Sequence, residues 1–255
     1  MNLAISFRSE LQKTRRTAVR YLCILVAAIV PVIFLLNLLL EGTAAGKQHK
    51  NPWNDYIRES FQISSVMFFP LFVILLCTLV VQVEYRNNTW KQVFSSPQSL
   101  WHIITSKLLV LHLMVFFFMF SFNVLLLSAM VLVGLFLPHL NLFSHSIDWN
   151  QLLQYNITSY LLVIGMLSIQ FWLSMRLRNF IAPLGIGLAL WFIGGLLTLD
   201  MHWSYADRFP HGLSWLAISK ELGTMVTKAK WWSAGYAVLF FFIAVLDLQL
   251  RKAKA

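Results

Sequence analysis

The sequence predicts an all-α integral membrane protein: six transmembrane helices with an N-terminal interfacial amphipathic helix. Three observations predict it. Hydrophobic residues make up 58% of the chain and charged residues only 12%, about half the charged share of a soluble domain. The apolar residues arrive in unbroken blocks of about 18 or more, the length that crosses a bilayer. The basic residues behind the formal net charge of +10 sit at the ends of those blocks, where they orient spans. This argues for the lipid bilayer as partner and against nucleic acid.

The elements follow in order. Residues 1–17 form the interfacial helix, with Leu3, Phe7 and Leu11 recurring every four positions on one face and Arg8, Lys13, Arg15 and Arg16 on the other. That pattern suits a helix lying in the membrane surface. The spans are 18–40, with Pro31 inside it, then 61–83, 107–137, 157–175, 180–199 and 231–249. The third is longer than a bilayer requires, so it tilts, bends or protrudes. Segment 84–106 is mixed in polarity. Segment 200–230 is an amphipathic loop in which Trp203, Trp215 and Leu216 supply an apolar face, while Asp207, Arg208, Lys220 and Glu221 stay wet. No internal repeat interrupts the chain, and 1–255 reads as a single transmembrane domain.

With six spans the two termini share a side. That side, which also holds 84–106 and the 176–179 turn, carries 13 of the 20 Lys and Arg residues, and the other side carries 7. The bias places both termini in the cytoplasm of a multi-pass plasma or inner membrane protein, with 41–59, 138–154 and 200–230 outside.

Several chemistries are missing. Cys23 and Cys77 lie in apolar blocks and have no partner spacing, so they read as buried free thiols. The seven histidines show no His-x-x-His or His-x-x-x-His spacing, so no metal site is expected. A phosphate-cradling loop is absent: the nearest stretch, Gly42 to Gln48, is one residue short and ends in Gln. No cofactor is therefore expected in this chain, and no catalytic residue. The span interiors hold few ionisable groups, which weighs against an ion-coupled carrier. Asn37, Asn123 and Gln170 read as interhelical hydrogen-bonding groups.

The segment after the second span has its own logic. Asn87 or Asn88 can cap a short helix, and Trp90, Val93 and Phe94 then share one apolar face. Ser96 followed by Pro97 is a natural restart toward the third span. So small an apolar face either folds back on the interfacial helix or fills a groove on a partner.

Two stretches carry a family resemblance. One contains Phe7, Glu10, Leu11, Lys13 and Arg16 ahead of the span with Pro31. The other contains Glu84, Thr89, Trp90 and Lys91, followed by Pro97, Ser99 and Lys107. Together with the order of elements they resemble the permease subunits of type-2 ABC exporters, especially the small permeases of lantibiotic- and bacitracin-immunity transporters. The common pattern has Asn-Gly-Thr where this chain has Asn87, Asn88 and Thr89, and often a basic residue where it has Leu100.

The resemblance implies a permease that couples to a separate cytoplasmic ATPase in two copies, with ATP and Mg bound there. It also implies a second permease copy, identical or related. Glu84, Thr89, Trp90, Lys91, Val93, Phe94, Pro97 and Ser99 would form the ATPase-coupling segment, and Trp203, Trp215 and Leu216 an outer gate. The exported compound would be a membrane-active peptide or another amphipathic molecule. The alternatives are a polytopic membrane enzyme or a non-ATP-driven transporter.

Overall fold

The computed structural model describes residues 3–15, 19–41, 51–86, 98–138, 141–201, 203–217 and 223–252. Eight α-helices order the described residues: α1 (Leu3–Arg15), α2 (Val19–Glu41), α3 (Pro52–Ile63), α4 (Phe69–Arg86), α5 (Leu100–Phe136), α6 (Trp149–Arg176), α7 (Ile181–Gly195) and α8 (Gly223–Lys252). A π-helical turn, Ser64–Phe68, joins α3 to α4 into one span, and a second, Leu196–Asp200, extends α7. Six helices are long and apolar enough to cross a membrane. The protein is therefore an all-α membrane bundle, with no strand among the described residues.

Spans 2, 3, 4 and 6 are longer than their apolar blocks because their ends stay helical past the hydrocarbon. Span 3 is α5, whose 37 residues make about 55 Å of helix against a hydrocarbon core of about 30 Å. Here the end carrying α1 and the end of α8 is called the base. Measured up from Lys107 near the base, the core is crossed in about 20 residues, so the last turns of α5 project at the far end. They do not project alone. Asn51 caps α3, its side chain accepting from Trp53 N (3.1 Å), and Pro52 occupies the first helical position. Asn51 Nδ2 donates to Ser146 O (2.9 Å) and Trp53 Nε1 to Leu142 O (3.0 Å). Phe61 packs on Phe122 and Tyr155, with ring centroids 5.1 and 5.5 Å apart. The projecting ends of spans 2 and 3 and the loop into span 4 thus form one head, and the Phe61 packing joins the three spans beneath it.

Alternate spans run side by side in the same direction and are stitched by short polar contacts. Span 1 lies along span 3, where Cys23 Sγ approaches Met114 O. Span 2 lies along span 4 through the Ser65–Ser159 hydroxyl pair (2.6 Å) and Cys77 Sγ to Leu167 O (3.6 Å). Span 4 lies along span 6, where Gly165 N donates to Ser233 Oγ (2.9 Å). Asn123 and Asn156 exchange amide hydrogen bonds of 2.8 and 3.1 Å, and Gln170 Nε2 donates to Pro183 O (2.7 Å), so both read as interhelical contacts. Cys23 and Cys77 are free and buried. Spans 2 and 4 hold the centre: 61% of each apolar window is buried, against 22% for spans 1 and 6, which turn most of their surface to lipid.

The span 4–span 6 contact requires the missing side chain at Gly165. A Cβ there would stand 2.7 Å from Ser233 O and 3.0 Å from its Cα, both backbone atoms. Gly165→Ala should therefore cost about 1–3 kcal/mol through overpacking. Gly185→Ala, with nothing within 4 Å, should be neutral or gain up to about 1 kcal/mol from helix propensity. Thermal unfolding of both variants in detergent checks the contrast.

Candidate functional site

The first turns of α1 place Ser6, Glu10 and Thr14 at i, i+4 and i+8, and this small polar stripe faces the bundle. Phe7 and Leu11 flank it, half-buried against the core, and Leu3 stays exposed. The helix therefore turns a polar edge inward. The reason is what it meets: the charged ends of two spans instead of lipid. Ser6 Oγ donates to Gln98 Oε1 (2.6 Å), which pins the start of α1 beside the entry to α5. Ser99 caps α5, its Oγ accepting from His102 N.

Two turns into α5, Lys107 is 1% exposed, and Glu84 in the last turns of α4 is equally buried. Lys107 Nζ donates to Glu10 Oε2 (2.7 Å) and to Glu84 Oε1. Lys13 Nζ donates to Glu10 Oε1 (2.6 Å) and to Glu84 Oε1 (3.0 Å). Two ammonium groups and two carboxylates thus alternate in one buried cluster that joins α1, span 2 and span 3. Burial by itself would raise the Glu10 carboxyl. The Lys107 and Lys13 ammonium groups outweigh it and hold Glu10 below its ordinary value of 4.5.

The next residue of α4 points elsewhere, because successive helical side chains diverge by about 100°. Tyr85 donates its hydroxyl to Met175 O at the end of span 4. Arg251 Nη1 donates to the same carbonyl (2.9 Å) and Nη2 to Asp247 Oδ2 (2.7 Å), while Arg176 Nη1 donates to Asp247 Oδ1 (2.8 Å). Glu84 and Tyr85 therefore tie the end of span 2 to both halves of the base, α1 and span 3 on one side, spans 4 and 6 on the other.

Of the residues singled out in the sequence, Glu10, Lys13 and Glu84 come together here. Thr89, Trp90, Lys91, Val93, Phe94, Pro97 and Arg16 lie outside the described residues. Trp203, Trp215 and Leu216 lie at the far end. Trp203 is exposed, Leu216 is fully buried, and Trp215 stacks on Trp191. They belong to a cap built of two 3₁₀ turns, Ala206–Arg208 and Leu213–Ala217. Burial in the cap pushes the His211 imidazole down to about 4. Sequence reasoning did not join Lys107, Tyr85, Arg176, Asp247 and Arg251 to the site. The available signal was Lys107 itself, a cation at the first position of the third apolar block, where burial demands an anionic partner. No group of three His, Cys, Asp or Glu side chains suited to a metal ion occurs among the described residues.

A family model described as ABC-2 family transporter protein matches residues 6–194. No curated protein and no solved structure matches the chain.

Removing one member of the cluster leaves buried charge without its counterpart. Lys107→Met should destabilise the bundle by about 3–5 kcal/mol. Adding Glu84→Gln to it, which leaves Lys13 and Glu10 as a neutral pair, should restore much of that loss, as read from unfolding midpoints of the two variants. The cluster also sets an acid limit. Because the Glu10 value is depressed in the fold, its contribution is complete above about pH 4.5 and is lost as pH falls through the lower native value. Hydrogen exchange in α1, corrected for intrinsic rates, should stay flat from about pH 8 to about pH 5 and rise below that.

Proposed function

The chain belongs to the ABC-2 transporter family, and on that premise we propose that it is the membrane-spanning permease of an ATP-driven exporter. In this reading the base faces the cytoplasm, and ATP with Mg is bound and hydrolysed by a separate ATPase present in two copies. A second permease copy, identical or related, completes the pathway. The cargo is a membrane-active peptide or another amphipathic compound. The cap with Trp203, Trp215 and Leu216 closes the pathway on the outside.

The observation that carries this reading is the position of Glu84 and Tyr85. They are the last clamped residues of span 2, immediately before the segment with Trp90, Val93 and Phe94. A push on that segment enters span 2 at a point bonded to α1 and to spans 3 and 4, with span 6 reaching the same Met175 carbonyl through Arg251. Packed polar networks with two arrangements are the physical means by which such a push travels. Thr89, Lys91, Pro97 and Ser99 complete the docking stretch.

The test is purification of the chain from native membranes with any bound ATPase, followed by ATP-driven uptake of an amphipathic peptide into inverted vesicles. Trp90→Ala with Phe94→Ala should leave insertion intact and weaken ATPase binding by about 2 kcal/mol or more, roughly 30-fold, if these are anchor residues. Wild-type binding and uptake by the inserted double variant would remove the coupling role. Purified chain that turns over ATP by itself would remove the exporter reading.

A further inference from the structure

Span 2 is interrupted where it nears the far end. The π-helical turn Ser64–Phe68 is followed at once by Pro70. Proline has no N–H, so the carbonyl of Val66, four residues earlier, lacks the donor an α-helix would give it. Another span supplies one: Trp191 Nε1 of α7 donates to Val66 O at 3.0 Å. Trp191 is in turn bonded from above. Its own carbonyl accepts from Trp215 Nε1 of the cap at 3.1 Å, and the two indoles stack with centroids 5.0 Å apart.

The surroundings hold this chain of contacts in place. A Cβ on Gly195 would meet the Trp215 ring at 2.8 Å, and one on Gly194 would meet Gly212 Cα at 2.4 Å. Two adjacent glycines of span 5 therefore let the cap backbone and its indole lie directly on the helix. Thr198 Oγ1 donates to Gly194 O (2.8 Å), and Trp203 N donates to Leu197 O (2.9 Å), closing the second π-helical turn against the start of the cap. Leu213 and Leu216 bury themselves with Leu162 of span 4 and Ala229 of span 6. π-helical turns are local irregularities that concentrate at functional positions. Here the first is joined to the cap by two indole N–H groups by way of α7, and the second by the Trp203 N–H.

We propose that Trp191 and Trp215 are positioning residues that bind the cap to the joint in span 2, so that the two change conformation together. The lower indole N–H serves the Val66 carbonyl, which Pro70 leaves without its α-helical donor and which cannot be released into an apolar interior without cost, and the upper one adds a second bond to a carbonyl within α7. Lifting the cap withdraws Trp215 from Trp191, and the stacked Trp191 is then free to leave Val66. Reshaping the joint at Pro70 runs the same sequence in reverse. Under the exporter reading, a push entering at Glu84 reaches the outer cap by this route, and that clause rests on the proposed function. The coupling itself is a property of this chain alone.

The experiment therefore uses the full chain in nanodiscs, with no ATPase, and reads hydrogen exchange in peptides covering 60–75 and 206–217. Trp215→Phe keeps an aromatic ring and removes the upper N–H, and Trp191→Phe removes the lower one. Trp215→Phe is expected to raise exchange on the order of 10-fold at the span 2 joint as well as in the cap, and Trp191→Phe to do the same in the cap. The double variant should add little at either place. Leu213→Ala loosens the cap with both indole N–H groups kept, so it reaches the joint only when the cap carries Trp215 away, and it should raise exchange there clearly less than Trp215→Phe does. Variants that each loosen only their own surroundings would overturn the proposal. So would a joint that responds to Leu213→Ala as strongly as to Trp215→Phe, because packing would then carry the signal without the indole bonds. Either failure leaves the ATPase co-purification test of the exporter reading standing.

Discussion

An ammonium group removed from water at the base of span 3 constrains everything built around it. Lys107 is enclosed, and a charge in that position is tolerated only when oppositely charged groups with good geometry replace its water. Glu84 meets one part of that demand and Glu10 another, with Lys13 balancing the second carboxylate. The position of α1 follows. A helix patterned for the membrane surface is drawn onto the span ends by its carboxylate. Its polar stripe becomes its contact face, and its hydrophobic flanks pack beside it.

From that anchor the bundle reads as two groups of spans sharing one helix. Spans 1 and 3 pair with α1, spans 4 and 6 pair with each other, and span 2 touches both groups through consecutive residues. Bonds at the base are charge-assisted and numerous. Those higher up are hydroxyl and thiol contacts between parallel helices and amide contacts between antiparallel ones. Such contacts contribute modestly one by one in a bilayer, so the upper bundle is held chiefly by close packing, as at Gly165 and Ser233. The far end differs again, with an aromatic head over spans 2 to 4 and a low cap over spans 4 to 6.

Much of this was legible in the sequence, and the reasons differ by element. Six spans follow from block length, because lipid imposes the same requirement on any chain. Lys13 stood out on the polar face of the first helix, and Glu10 and Glu84 in the stretches that carry the family resemblance. That they meet did not, since Lys107 reaches Glu10 across 97 positions and Glu84 across 23, and no local period records such a meeting. The inward face of α1 escaped for a related reason: periodicity finds the apolar side of a helix, and here the buried side is polar. Trp215 and Leu216 were visible as apolar residues in a polar loop. Trp191 was hidden in a span where every neighbour is apolar. A buried indole N–H needs an acceptor and Pro70 leaves one unserved, but joining them takes the fold.

The order in which the cluster's members occur along the chain bears on how the protein is made. Glu10, Lys13, Glu84 and Lys107 all precede the fourth span, as do both members of the span 1–span 3 pair. Chains are synthesised from the N-terminus, and folding units form in that order. When Lys107 enters the bilayer its two carboxylate partners are already waiting at the same level, so the cation need not linger in lipid unneutralised. The first three helical spans can thus settle as a self-consistent nascent unit before span 4 leaves the ribosome. The later spans then assemble against a surface whose charges have already been cancelled.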